Sequence, residues 1–419
     1  MSSVTPPKSS LGIGVTTVYL LERWLTPFAL FVGAEASLRY GVLAGFGFAL
    51  IGFLVFMSFS VVLLGIQKRM PEVTSMSDWL GRKLTGSAQT YFQYILKLLY
   101  SLDIFIVGVG GGMLWYAGFQ IPMVMGTGLS LLVLWLIYLI IGKKKWARKY
   151  RIYILGSFFA LLVFALVYPF LVSPLQAIYD GMRLYHPYLF VIQERELLVY
   201  TTATFAILMG RIIISPSAWK LAESHSKMKV RSTFLLAGAV WATLPIAFST
   251  LLYPVIAQGI MGEVEEVFYR AFQSIPSPAV KYILLVLIGI ILMRAGKQVI
   301  KSLKLQQSGT SSGERFIYGF VILIAFIGYS IFQPTLLELF FLVGIFYASL
   351  LMPVIIMMFT SVTVGWILPI IFFISSITGM VAYVAEGHFN AIGVSVSLSS
   401  LLFIIYWIYR TIYQHQSKI

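Results

Sequence analysis

Several charged residues stand where charges are costly, inside stretches of apolar side chains. Glu22 and Arg23 interrupt the first stretch. Asp103 lies midway along another, in YSLDIFIVGVGGG. Arg211 falls near the end of a sixth, and Arg294 and Lys297 share LMRAGKQ in an eighth. An ionised group surrounded by hydrocarbon faces a cavity, a partner or a path for a solute. The acids and bases nearly balance, so one reading is an internal network of ion pairs formed by Glu22, Arg23, Asp103, Arg294 and Lys297. The other gives some of them work. Arg211 is placed to bind a carboxylate bidentately, Asp103 to bind an amine or carry a proton, and Arg294 to serve as a fixed cation. Lys97 is expected to snorkel, with its ammonium at the interface.

Two prolines accompany these charges. Thr26-Pro27, followed by Gly33, lies near the middle of the first stretch, and Gly210 precedes Ser215-Pro216-Ser217 in the sixth. Proline lacks a backbone donor and clashes with the preceding turn. In lipid the freed carbonyls must be satisfied by a neighbour or an ion. Breaks at corresponding places of two inverted halves are where transporters bury their sites. The residues around them, Trp24, Thr26, Pro27, Phe28, Asp103, Arg211 and Ser215, are therefore the candidate substrate-binding set. Gly108, Gly110, Gly111 and Gly112 allow close helix packing. Trp115 and Tyr116 are further candidates to line a pocket.

The elements that must hold these residues are membrane helices. The chain has 419 residues, 59% hydrophobic and 11% charged, with mean hydropathy +0.91. A soluble domain is about a quarter charged. Bilayer-length apolar runs need about 20 residues, and twelve are expected: 14–37, 41–66, 88–118, 122–142, 152–173, 198–215, 232–258, 279–299, 316–333, 335–359, 364–385 and 390–411. The two breaks lie five helices apart, in the first and the sixth. Residues 14–173 and 198–359 thus form two five-helix repeats, the second inserted upside down, with 364–411 appended and tails at 1–13 and 412–419.

Of the thirty Lys and Arg, alternate loops on one side hold only Arg39, Arg183, Arg195, Arg270 and Lys281. Arg23, Lys97, Arg211 and Arg294 lie within spans, and the rest occupy the other side and the tails. This bias puts both termini in the cytoplasm of a multi-pass protein of the cell membrane. The densest basic run, Lys143 to Arg151, reads as a stop-transfer anchor at the headgroups. The acidic loop 259–278 reads as an external amphipathic helix. The start of the chain does not read as a signal peptide.

Other classes fall away. Cysteine is absent, which removes disulfides, thiol nucleophiles and Cys-ligated metals. His186, His225, His388 and His415 fall in loops or tails, away from any haem-ligating position. No phosphate-binding loop appears. The expectation is no enzyme, no cofactor, no resident metal and no nucleic-acid partner.

The run ASLRYGVLAGFGFAL after the first helix, TSMSDWLGRKLTG before the third, a basic stretch before the fifth, and KLAESHSKMKVRSTFLLAGAVWATLP leading into the seventh resemble the solute:sodium symporter family over residues 15–305. The resemblance implies the LeuT-type inverted-repeat fold of the amino acid–polyamine–organocation superfamily, shared by the nucleobase:cation symporters. In sodium-coupled members, hydroxyl residues of helix 8 ligate sodium with helix 1 carbonyls. Here that stretch is Ile291 to Lys297, without Ser or Thr and with Arg294 in it. GRIIISP replaces the family's Gly-Gln-Pro at helix 6.

These readings combine into an expectation: a secondary transporter of a small polar organic solute, an amino acid or related carboxylate, by alternating access, independent of sodium and either proton-coupled or uncoupled. Its partners are the solute and the bilayer. Two alternatives stand beside it. One is a degenerate transporter-like scaffold, partnered by the other subunits of a larger membrane complex. The other is a nucleobase-type cation symporter.

Overall fold

In lipid an apolar run folds as a helix because only then are its backbone N–H and C=O groups all bonded within the segment. The computed structural model of the chain describes residues 12–71, 73, 76–141, 148–191, 194–219, 227–260, 262–275, 277–305, 312–360 and 363–416. Within them it is helical apart from loops and one isolated β-bridge, between Leu84 and Val364.

The first crossing is split into α1 (Ile13–Trp24), a π-helical turn (Phe28–Val32) and α2 (Gly33–Tyr40). Then follow α3 (Val42–Arg69), α4 (Met76–Lys83), α5 (Ala88–Phe119), α6 (Met123–Ile141), α7 (Arg148–Val172), α8 (Leu175–Tyr185) and α9 (Glu194–Ile213). The remainder are α10 (Lys227–Ile256), α11 (Val264–Gln273), α12 (Pro278–Leu305), α13 (Ser312–Phe332), α14 (Leu336–Phe359), α15 (Ile367–Glu386) and α16 (His388–Gln416).

Eight of these helices are long and apolar enough to cross a bilayer, and α7 with α8 makes a ninth that bends by 79°. The split first crossing, α6 and α13 complete the expected twelve. The bend lies at Ser173-Pro174, where Pro174 precedes the first residue of α8.

Several helices outrun their expected ends. α12 reaches Leu305 and α16 reaches Gln416, because polar residues prolong a helix once it leaves hydrocarbon. α4 and α8 were not expected. α11 occupies the acidic loop and buries Val264, Val267, Phe268, Ala271 and Phe272, the spacing of one apolar helical face. The basic run from Lys143 falls largely outside the described residues, as does the start of the segment that leads into α10.

Packing follows the exchange of each crossing with the fifth one after it. Crossing 2 (α3) packs along crossing 7 (α10), and crossing 3 (α5) along crossing 8 (α12). Crossing 1 meets 7 as crossing 2 meets 6. This is the five-plus-five inverted architecture, with α15 and α16 laid against α14. The seam between α3 and α10 is close: a Cβ on Gly52 would lie 1.7 Å from the Trp241 ring. The appended pair is tied on by Ser349 Oγ to Ser376 Oγ at 3.0 Å, and by Ser395 Oγ, which donates to the Ile345 carbonyl at 3.2 Å.

Candidate functional site

Both expected breaks are present, and both face the middle of the bundle. In crossing 1 the helix stops after Trp24. The Thr26 carbonyl accepts from the Ala29 N–H at 2.9 Å as the chain restarts through Pro27. In crossing 6 it stops at Ile213 and resumes with a short turn at 216–219. The restart is made by the Ser215 carbonyl, which accepts from the Ala218 N–H at 3.0 Å. α5 comes right against the first break, since a Cβ on Gly110 would lie 2.3 Å from the Pro27 ring.

Carbonyls freed at the breaks are satisfied by side chains. Trp241 Nε1 donates to the Trp24 carbonyl at 3.0 Å and Trp219 Nε1 to that of Ile213 at 2.7 Å. Tyr100 Oη donates to that of Ile214 at 3.1 Å. Three backbone oxygens at the breaks thus each accept from an indole or phenol donor.

Between the breaks lies a buried charge cluster. Arg211 Nη2 donates to Asp103 Oδ1 at 2.9 Å, and Tyr347 Oη, from α14, donates to the same oxygen at 3.0 Å. Arg211 Nη1 reaches Thr26 Oγ1 at 3.4 Å. Trp24, Phe28 and Tyr347 surround its guanidinium at 5.5–5.9 Å from the ring centroids, within cation–π range.

Arg23 enters the same space from α1. Its guanidinium donates to Ser302 Oγ on α12 and stacks 4.7 Å over the Tyr100 ring. It is only 8% exposed, and it forms no salt bridge among the described residues. Arg23, Trp24, Tyr100, Asp103, Arg211, Ser215 and Tyr347 line a cavity of about 10 Å³, room for roughly one water molecule.

A second pair is made by Glu22, on α1 about one turn before the first break. Glu22 Oε1 accepts from Arg294 Nη2 at 2.8 Å, and Oε2 accepts from Gln298 Nε2 at 2.6 Å. Lys297 is half-buried on the same helix and is not among the residues that line the cavity.

The structure therefore brings Trp24, Thr26, Phe28, Asp103, Arg211 and Ser215 together around one centre, with Pro27 behind them against α5. Asp103 and Arg211, read from sequence as binders of separate ligand groups, are partners of each other. Trp115 and Tyr116 are not at this site. Trp115 donates to Ser130 Oγ at 3.1 Å on the flank of the bundle, and Tyr116 Oη to Glu266 at 3.0 Å on α11. Lys97 is buried, with its ammonium 5.0 Å from the Tyr94 ring centroid. Sequence reasoning missed Tyr100, Ser302 and Tyr347. Hydroxyls inside otherwise apolar helices were the signal that could have found them.

No protein-family model matches the chain, and no curated protein matches it in sequence. Solved structures do match in shape. A crystal structure of the Eremococcus coleocola manganese transporter, in a glutamate-to-glutamine variant, has a TM-score of 0.55 at 12% identity, covering 96% of this chain and 97% of that one. The same transporter in complex with an aromatic bis-isothiourea substituted compound has a TM-score of 0.53 at 12% identity, covering 96% of each chain. At this identity the likeness concerns the fold, a multi-pass helical fold of LeuT type, over nearly the whole chain.

Proposed function

We propose that this chain is a secondary transporter of a small organic carboxylate, such as an amino acid, by alternating access. One observation carries the reading: the central cavity faces two guanidiniums, Arg23 and Arg211, and one carboxylate, Asp103. Asp103 is spent on Arg211. The missing counter-charge is the solute's, and Arg23 is its ligand. A carboxylate there would sit beside the Ser215 hydroxyl and the Tyr100 and Trp24 rings. With room for about one water, the cavity must widen to load, and the breaks at Leu25–Thr26 and Ile214–Ser215 are the hinges that let it. Each five-helix half, 14–173 and 198–359, supplies one of these hinges.

Sodium independence is part of the reading. Arg294 supplies a fixed cation between α12 and α1, where the solute:sodium symporters that the sequence resembles place sodium. Lysines and arginines gather on the side where α1 begins, which supports cytoplasmic termini and a cell-membrane location.

The manganese transporter invites a metal-ion reading. The donors here speak against it. Manganese prefers carboxylate, carbonyl and water oxygens. Among the described residues no group of three His, Cys, Asp or Glu comes together, and two guanidiniums face the cavity. The scaffold reading has one observation in its favour, the near absence of free volume at the centre.

A thermal-shift screen of the purified chain tests all three. Carboxylates are expected to raise the melting temperature equally in sodium and choline buffers, by mass action on the native state. Arg23→Gln is expected to remove that shift. A shift only with sodium, or only with manganese, would overturn the corresponding part. Silence toward every solute, with co-purification of other subunits at fixed stoichiometry, would establish the scaffold instead.

A further inference from the structure

A second and larger cavity, about 340 Å³, lies on the flank of the bundle between α5, α6 and α12. Its walls include Val107, Leu114, Val133, Val286, Gly289 and Met293. Val133, Val286 and Met293 are exposed, so its mouth opens between membrane-spanning helices onto lipid. The polar atoms on its wall are few. The Trp115 indole and the Ser130 hydroxyl are bonded to each other at 3.1 Å. A buried water needs two to four polar partners, and this surface does not provide them.

The length of the cavity is that of a lipid tail. Along α12 it runs from Tyr282 to Met293, a rise of about 16 Å at 1.5 Å per residue. Half the hydrocarbon core of a bilayer is about 15 Å. Along α5 it runs from Phe119 down to Val107, over the same depth. It begins at the interface away from the chain termini and ends near the bilayer middle.

A cation marks its interfacial end. The Lys281 ammonium lies 5.6 Å from the ring centroid of Tyr282, a wall residue. Lys281 is 8% exposed, and among the described residues no carboxylate pairs with it. An anionic headgroup at this depth would supply the partner.

We propose that this flank binds one anionic phospholipid of the leaflet away from the termini, with an acyl chain in the cavity and the phosphate at Lys281. The site is separate from the central charge cluster and does not depend on what the chain transports.

Native mass spectrometry of the full chain tests it, after reconstitution into vesicles of phosphatidylglycerol and phosphatidylcholine with matched tails. The wild type is expected to retain one phospholipid per chain, with phosphatidylglycerol favoured about fivefold, the scale of one lysine near an anionic lipid. Gly289→Leu fills the cavity and should abolish retention. A Cβ there meets only Leu114, at 3.8 Å, so the variant has room to fold. Val286→Trp, which blocks the mouth from an exposed position, should act alike. Lys281→Gln should keep a lipid but lose the preference between headgroups. Retention unchanged in both filled variants, no retained lipid in the wild type, or a headgroup preference that survives in Lys281→Gln would each overturn the proposal.

Discussion

Two buried ion pairs flank the broken first helix, and they are built differently. Glu22 has one oxygen on Arg294 and the other on Gln298, from adjacent turns of α12. Both carboxylate oxygens there are used, and the pair lines neither the central nor the flank cavity. Asp103 instead takes Arg211 and Tyr347 on a single oxygen, beside a second guanidinium, from Arg23, that forms no salt bridge among the described residues. A saturated pair works as a strut that holds α1 to α12. An incomplete one leaves net positive charge facing a space between helix ends, which is what an anionic ligand needs. Burial alone does not separate the two, since Arg211 and Glu22 are similarly enclosed. The use of each carboxylate's oxygens, and the cavity that only the central pair lines, do.

The sharpest way to break this comparison is to remove Arg211. Arg211→Ala strands Asp103 in the core and should cost about 3–5 kcal/mol in denaturant unfolding, as breaking a buried pair does, together with all saturable uptake. The double variant Asp103→Asn/Arg211→Gln should recover much of the stability and none of the uptake. If the double variant transports, the central pair is structural.

Arg23→Gln comes next. It leaves no carboxylate stranded, so the fold should persist while carboxylate affinity falls about 10- to 100-fold, the scale of one charged hydrogen bond. Competition binding reads this directly, and an unchanged affinity would remove Arg23 from the site.

A smaller effect is expected at the strut. Glu22→Gln should lower stability by about 1–2 kcal/mol and leave the solute affinity of the centre intact. Loss of binding as complete as in Arg211→Ala would erase the distinction between the pairs.

The smallest effect lies outside the membrane, on α11. Hydrogen bonds from Arg270, at 2.8 Å, and from Tyr116 hold the Glu266 carboxyl below its ordinary range. A depressed carboxyl contributes stability that is complete above the unfolded value and fades as pH falls through the folded one. Hydrogen-exchange protection along Val264–Gln273, relative to the intrinsic exchange rate at each pH, should therefore fall on acidification. In Tyr116→Phe the change should begin at higher pH. Exchange in that variant identical to wild type at every pH would show that the Tyr116 contact does not hold α11.

Much of the architecture was readable before any coordinates. Apolar length set the twelve crossings, because a segment in lipid must satisfy its backbone alone. Pro27 and Pro216 placed the breaks, because proline acts on its own turn whatever surrounds it. Their spacing of five helices, from the first crossing to the sixth, set the inverted repeat. The charged residues in the spans could also be singled out, because charge in an apolar run is a local property of sequence.

What the sequence left open was who meets whom. Arg211 and Asp103 are 108 positions apart, and Arg294 and Glu22 are 272 apart. Whether a guanidinium reaches a carboxylate or stands alone depends on helix rotation and on how closely backbones approach, as where Gly110 admits Pro27. For the same reason Trp115 could be recognised as an aromatic in a glycine-rich helix but not as part of a flank cavity 340 Å³ in volume. Composition and proline thus determined the helices and their interruptions by local chemistry. Only three-dimensional packing decided which buried charge met a carboxylate and which stood at the central cavity without a salt bridge among the described residues, because electrostatic pairing falls off within a few ångströms that no spacing along the chain records.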